Sequence, residues 1–528
     1  MTNAPLTAAN PGKAHLRGFA LASVIVALML SLLLEALDQT IVGTAMPRII
    51  ADLHGLDRYT WVVTAYVLAS MTMVPIVGKL SDQFGRKWFL LGGTALFLFG
   101  SLLAGASQTM DQLILFRALQ GLGAGMGMAL VATVIGDLFE PAERARWMSL
   151  FGIVYGLSSL IGPTIGGWLA EHGPLMGSLV TDATRWRWVF YINLPLGLIA
   201  LIALLIFLPA NVSLRTSSVT GWAAVRHIDF PGAALSAAAS ISLLLGLSLG
   251  SDRTYNWTSA PVLGPLTIGI VLLTLFFIVE RRAAEPVLPL GLFRNQVFTA
   301  ASLLSLLQMM LLMGFTLYLP LFLQGVLAVS PTVSGLVMTP LSISMVIGAM
   351  AAGPIIGALK RYQIIAIAGG MFMVTGSFLI TTMTPQTSLV QAIVFMSLAG
   401  IGTGVFFMVP TLAAQNALPA SQMGVSTAAT RYLGQLGATL GIAIVGTVVN
   451  SGVSGNLMQH LPTDPAGKQM LATALQHGFV AVLVFAAIAL LITFFLKDVP
   501  FAPASPAARS GKVGDTGEAS EKEFAHSR

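Results

Sequence analysis

Long apolar runs, each near the thickness of a lipid bilayer, recur along the whole of this chain and leave little room for anything else. They lie near 18–46, 59–79, 88–107, 112–136, 147–170, 188–209, 229–250 and 261–280. Six more follow near 297–324, 332–356, 363–384, 388–410, 424–449 and 473–496. A helix that crosses the hydrocarbon core needs about 20 predominantly apolar residues. Within lipid every backbone N–H and C=O must be paired inside the protein, which leaves helices or a closed barrel, and runs this long specify helices. Only 9% of the 528 residues are Asp, Glu, Lys or Arg, against about 25% in soluble domains. The expected fold is an all-α polytopic membrane protein with 14 transmembrane helices. No room is left for a large soluble catalytic domain.

The net charge is +6 and the pI is near 9.6. Nucleic acid would suit that balance, but cytoplasmic loops of membrane proteins also accumulate Lys and Arg, and no nucleic-acid partner is expected. With the N-terminus inside, Lys13, Arg17, Lys79, Arg86, Lys87, Arg144, Arg146 and most later cations fall on the cytoplasmic side. Only Arg48, Arg58, Arg185, Arg187, Arg253 and Lys468 fall outside. Both termini are therefore expected in the cytoplasm, which requires an even number of spans. The N-terminal run resembles the start of a signal peptide, but it is too long and carries Glu35 and Asp38, so it is read as a retained first span. The polar tail beyond about Pro500 has little to bury and is expected to be disordered. With no cysteine in the chain, disulfides and thiol chemistry are excluded.

Ionisable residues within spans are costly and mark functional sites by default. Three stand out: Glu35 and Asp38 in span 1, and Arg117 in span 4. Glu35 and Asp38 are three apart and share a helix face. At 1.5 Å per residue, Asp38 lies about 12 Å below the outer end of its span and Arg117 roughly 8–9 Å below the outer end of its own. A carboxylate–guanidinium pair at that depth is geometrically allowed. Burial opposes ionisation of a carboxyl and a nearby Arg favours it, so a carboxyl balanced between them can load and release a proton. The same carboxylate attracts a lipophilic cation. A static ion pair between two helices is the plainer alternative, and Arg431, near the start of span 13, is read as reaching the cytoplasmic interface.

In span 5, Gly152, Gly156, Ser159, Pro163, Gly166 and Gly167 fall in one stripe at helical spacing, next to Gly162. Small residues let helix backbones approach closely in a bilayer, and Pro163 removes a backbone hydrogen bond. Between spans 2 and 3 an inner turn runs Gly78-Lys-Leu-Ser-Asp82-Gln-Phe-Gly85-Arg86-Lys87, and Asp137 ends span 4 on the same side. Asp82, Arg86 and Asp137 can form a cytoplasmic latch, or be a solvated positive-inside loop.

Taken together, these segments resemble the major facilitator superfamily, and most closely its fourteen-helix drug:proton antiporter branch. Gly78 to Lys87 matches the superfamily's loop signature. The stretch Leu37-Asp38-Gln-Thr40-Ile-Val-Gly43-Thr-Ala-Met46-Pro47 matches the branch's first-span motif, with Gly43 where Asn is common and Met46 where Leu is common. Arg117-Ala-Leu-Gln120-Gly121-Leu-Gly123 matches the fourth-span motif, whose Arg is implicated in proton transfer. The span 5 stripe with Gly162-Pro163 matches the antiporter motif, and Trp186 to Pro195 is typical of the branch. Glu35 belongs to none of these signatures.

The resemblance implies two six-helix bundles, 18–209 and 297–497, separated by two inserted helices in 229–280. An arm (1–17), two linkers (210–228 and 281–296) and a tail (498–528) would lie in the cytoplasm. It further implies a pairing of Asp82 with Arg86 and Asp137 that faces span 13 and closes the inner gate. Gln308, Met309, Met310 and Met313 in span 9 and Met126 and Met128 in span 4 are candidates for a soft cavity wall. The implied function is proton-coupled antiport of amphiphilic, cationic drugs across a bacterial plasma (inner) membrane, with protons and the bilayer as partners, no cofactor, and an adaptor left undetermined. A dedicated exporter of one metabolite or antibiotic, and a lipid flippase or sensor without proton coupling, stay open as alternatives. No phosphate loop, HExxH or cysteine cluster is present. Gly246-Leu-Ser248-Leu-Gly250 fits a nucleophile elbow but lies in a span without strand context, and is read as chance.

Overall fold

A computed structural model describes residues 18–138, 141–178, 180–209, 230–251, 255–283, 288, 290–418, 423–453 and 464–498. The expected arm (1–17), the whole of the first linker (210–228) and the tail beyond Asp498 lie outside these residues. Among the described residues every regular element is helical. The first half holds α1 (Gly18–Leu53), α2 (Tyr59–Phe84), α3 (Arg86–Ala106), α4 (Met110–Leu138), α5 (Pro141–His172) and α6 (Arg185–Phe207), the last broken after Tyr191. A pair follows, α7 (Phe230–Ser251) and α8 (Ala260–Glu280). Then come α9 (Gln296–Leu321), α10 (Pro331–Leu359), α11 (Tyr362–Thr381), α12 (Leu389–Asn416), α13 (Met423–Gly452) and α14 (Pro465–Thr493).

Among the described residues, 10 helices are long and apolar enough to cross a membrane. The helices α2 and α7 carry shorter apolar stretches, Tyr59–Val74 and Ala234–Leu247. Large apolar side chains such as Ile199, Ile206, Ile270, Phe378 and Leu491 are exposed. On a soluble protein such faces would be interaction surfaces; on helices of this length they face lipid.

Sequence repetition is faint, yet the packing repeats. In the first half α1 packs on α5 and α6, α2 on α4, and α3 on α4 and α6. In the second, α9 packs on α13 and α14, α10 on α12, and α11 on α12 and α14. Each pairing recurs eight helices later, which defines two equivalent six-helix bundles. The bundles meet through α5 with α10, α2 with α13, and α1 with α9. The α7–α8 pair is inserted, and α7 lies against both α2 and α13.

Many of the contacts joining the bundles cluster at one end, the outer end in the topology set by the charges. Tyr59 donates its hydroxyl to the Leu317 carbonyl, and Gln324 donates to the Thr44 carbonyl at 2.8 Å. The Thr164 and Thr339 hydroxyls meet at 2.7 Å. Thr332 N–H donates to Glu171 at 3.0 Å, so a carboxylate at the end of α5 sits on the first turn of α10. Glu171 lies one residue past the apolar run 147–170. Partial burial raises its carboxyl pKa, but hydrogen bonds from Thr332 and Ser330 and the nearby His172 outweigh this and hold it below the usual value.

Candidate functional site

The polar centre of the first bundle is built from four helices. Asp38 on α1 and Arg117 on α4 are both 0% exposed and form an ion pair, Nη1 to Oδ2, at 2.5 Å. Gln120 lies one turn beyond Arg117 and so shares its face. Its amide donates to Asp38 Oδ1 at 2.8 Å and to the Ser101 hydroxyl of α3 at 2.7 Å, and its carbonyl accepts from Arg117 at 2.7 Å. Asn193, at the break in α6, donates to Asp38 Oδ1 at 3.2 Å and to Ser101 at 3.3 Å. Arg117 also donates Nε–H to the Val62 carbonyl at 3.3 Å, and its guanidinium lies 4.2 Å from the Tyr66 ring centre and 5.8 Å from that of Phe190. Aromatic faces suit a desolvated guanidinium. A buried charge is tolerable only when paired and hydrogen-bonded, and Asp38 has both forms of support.

Glu35 lies one turn further inward on α1 and is likewise buried. Its surroundings differ. Among the described residues its Oε2 has no hydrogen-bond partner, and Oε1 rests where a Cβ on Gly127 of α4 would stand. The charge that acts on it most is that of Arg431 on α13, in the other bundle, followed by Asp38. Arg431, which lies on α13 of the other bundle, is exposed.

The span 5 stripe faces two ways. A Cβ on Gly162 would overlap Thr40 Oγ1, and one on Gly166 would stand 2.6 Å from the Ile41 carbonyl, so these positions seat α5 on α1. A Cβ on Gly167 would overlap the Pro331 carbonyl, and one on Gly335 would overlap that of Pro163, so these seat α5 on α10. At Gly156, further inward, a Cβ would meet only Val346, at 3.6 Å. Two close contacts on different sides explain why small residues fill a band wider than one pairing needs.

At the inner turn, Gly85 adopts φ 93° between α2 and α3, a left-handed conformation costly for other residues. Arg86 begins α3 and is buried. Gly78 lies within α2; the side chains of Asp82 and Asp137, and the latch expected from them, lie outside the described residues. Gln308, Met310 and Met313 are buried and Met309 half-buried against Gly434; Met126 is half-buried and the side chain of Met128 is not among those described. Sequence reasoning missed Ser101, Tyr66 and Asn193 as partners in the network. Asn193 had a signal, a polar residue opening an apolar run, whereas one serine in a span gives none.

Residues 28–442 match the Major Facilitator Superfamily, more than half of the chain. The chain belongs to the major facilitator superfamily. It is 39% identical over 437 residues to the multidrug transporter protein MdtP of Bacillus subtilis, covering 82% of this chain and 76% of that protein. It is 37% identical to multidrug resistance protein 3 of the same organism, covering 80% of this chain and 79% of that protein. Among solved structures, a bacterial homologue of the human lysosomal transporter Spinster superposes with a TM-score of 0.65 at 16% identity, over 92% of this chain and 100% of that one. A D-xylose–proton symporter gives 0.60 at 14% identity, over 91% and 98%. The fold is thus that of a multi-pass membrane transporter, with its buried ion pair inside the first bundle.

Proposed function

We propose that this protein is a proton-coupled antiporter that exports amphiphilic, cationic drugs or toxic compounds across a bacterial plasma membrane by alternating access. The reading rests chiefly on the buried Asp38–Arg117 pair with Glu35 beside it. Two carboxyls and one guanidinium within lipid depth are costly to keep for packing alone. A carboxylate in a water-poor setting attracts a lipophilic cation and binds a proton, and the two compete. Competition of this kind couples inward proton flow to outward export when the bundles rock about the site. The multidrug names of the two Bacillus relatives favour a broad substrate range over one metabolite. The dense contacts at the outer end correspond to a state closed outward, in which substrate would enter from the cytoplasm and both termini would lie on that side.

The test uses proteoliposomes or inverted vesicles with ethidium as substrate. Export should follow an imposed pH difference and stop when pH difference and voltage are both collapsed. Undiminished transport after that collapse, with no other ion gradient, refutes proton coupling and leaves the flippase or sensor reading.

A further inference from the structure

The inserted pair α7–α8 touches both bundles, and its contacts with the two are of different kinds. Its own helices are tightly joined. A Cβ on Gly246 would stand 2.6 Å from Leu266 and one on Gly269 2.6 Å from Leu243, and Ser242 donates to the Pro265 carbonyl at 2.8 Å. The two helices therefore move together.

Toward the second bundle the pair is bonded and packed at three levels. Near the outer end the Thr447 hydroxyl of α13 donates to the Leu247 carbonyl of α7 at 3.3 Å. Further inward Phe276 of α8, which is buried, sets its ring 6.5 Å from that of Tyr432 on α13. At the inner end Glu280 accepts the Leu288 N–H at 3.2 Å. Leu288 is itself buried, and Asn295 beyond it caps α9 and donates to the Ala417 carbonyl just past α12 at 2.8 Å. The chain leaving α8 is thus held to the bundle it enters.

Toward the first bundle α7 meets α2 across a cavity of about 10 Å³, lined by Thr60, Trp61 and Thr64 of α2, Leu244 of α7, and Ala443 and Thr447 of α13. A polar cavity needs roughly that volume to hold one water. The Thr64 hydroxyl is 1% exposed and has no hydrogen-bond partner among the described residues. Interdigitated side chains hold two helices in one register. A void beside an uncharged hydroxyl gives no such lock, because water can replace the contact that is lost.

Accepting the alternating-access reading above, we infer that the inserted pair is carried by the second bundle. Helices α7 and α8 move with α13 as one body, and the Thr64 cavity marks the seam along which they part from α2 when the outer side opens.

The chain has no cysteine, so spin labels can be placed in pairs on the full chain in nanodiscs and their separations read by pulsed electron paramagnetic resonance. Ile241 on α7, Val74 on α2 and Ser451 on α13 are exposed and suit labelling. Gly167→Trp forces the outer side open, since even a Cβ there would overlap the Pro331 carbonyl, and a Trp168–Leu336 label pair reports the opening. On opening, the Ile241–Ser451 separation should stay fixed and the Ile241–Val74 separation should shift by several ångströms. A shift in Ile241–Ser451, or a fixed Ile241–Val74 separation in the opened protein, overturns the assignment. A Trp168–Leu336 separation unchanged by the bulky side chain overturns the rocking on which the assignment stands. A second readout leaves Gly167 in place and measures ethidium export in inverted vesicles after a short reducible cross-linker joins two engineered cysteines. Bridging L247C to T447C should leave export intact, whereas bridging L244C to T64C should abolish it until the bridge is reduced. Equal or reversed effects overturn the assignment. Unbridged variants that export nothing refute the exporter reading and leave the label separations to decide this one.

Discussion

Removing the carboxylate from the Asp38–Arg117 pair should cost more than removing the guanidinium, because the two have different ways to escape burial. In Asp38→Asn, Arg117 keeps the Gln120 and Val62 carbonyls and two aromatic faces but loses the one carboxylate that, among the described residues, lies at hydrogen-bond distance. A guanidinium cannot shed its proton in a protein, so the charge stays, buried and uncompensated. Breaking a buried pair in this way costs about 3–5 kcal/mol. In Arg117→Gln the remaining Asp38 still accepts from Gln120 and Asn193 and can take up a proton. Its cost should therefore be smaller, about 1–3 kcal/mol, near that of a lost charged hydrogen bond. The double variant Asp38→Asn/Arg117→Gln leaves no charge and should fall well short of the sum, giving a coupling energy of about 2–3 kcal/mol. Denaturant or thermal unfolding of the four proteins in one detergent measures the cycle. Single-variant costs that add to within about 0.5 kcal/mol in the double, or an Arg117→Gln cost exceeding that of Asp38→Asn, would refute the reasoning.

Three further outcomes follow from contacts elsewhere. Gly167→Ala should wedge α5 from α10, because the new Cβ meets the Pro331 carbonyl, while Gly156→Ala should be nearly silent, its Cβ meeting only Val346 at 3.6 Å. Maleimide labelling from outside of a cysteine at Thr316, straightforward because the chain has none of its own, should rise severalfold in the first and not in the second; equal labelling contradicts the two-sided reading of the stripe. Asn193→Ala should destabilise the first bundle by about 1–3 kcal/mol, since it removes a donor to both Asp38 and Ser101, a loss that thermal unfolding detects. The Glu171 carboxyl is held below its ordinary value, so its contact with α10 contributes fully above the ordinary carboxylate range, about pH 4.3. That contribution is lost as pH falls through the lowered value. The distance between spin labels placed across the α5–α10 contact should lengthen under strong acidification and lose that dependence in Glu171→Gln; a dependence unchanged by the substitution assigns it to another group.

The sequence made the membrane class legible because hydrocarbon admits no unpaired backbone, so long apolar runs can be read only as helices. It also placed Asp38 and Arg117 at matching depth, since rise per residue along antiparallel spans is fixed. What it did not reveal was sidedness. Glu35 and Asp38 are three apart on one helix, yet Asp38 is bonded to helices of its own bundle while Glu35 Oε2 has no hydrogen-bond partner among the described residues. That difference arises from which helices pack around α1 at each of the two positions, which local spacing does not encode. The same holds for Gly166 and Gly167, adjacent in sequence and seated against α1 and α10 respectively.

Packing and charge are linked through α4. Lipid is as apolar as the helix surfaces, so no hydrophobic force presses helices together and close approach depends on small residues. A Cβ on Gly121 would overlap the Tyr66 carbonyl, one on Gly125 that of Ser70, and one on Gly123 the backbone N of Phe97. These glycines draw α4 against α2 on one side and α3 on the other. Only at that separation do Arg117 and Gln120, a turn before and beside Gly121, reach the Tyr66 face, the Val62 carbonyl, Ser101 and Asp38 together. The glycine run and the buried charges are thus one structural device. The first sets a helix spacing tight enough for the second to be fully bonded, and the bonded pair makes that spacing the favourable one.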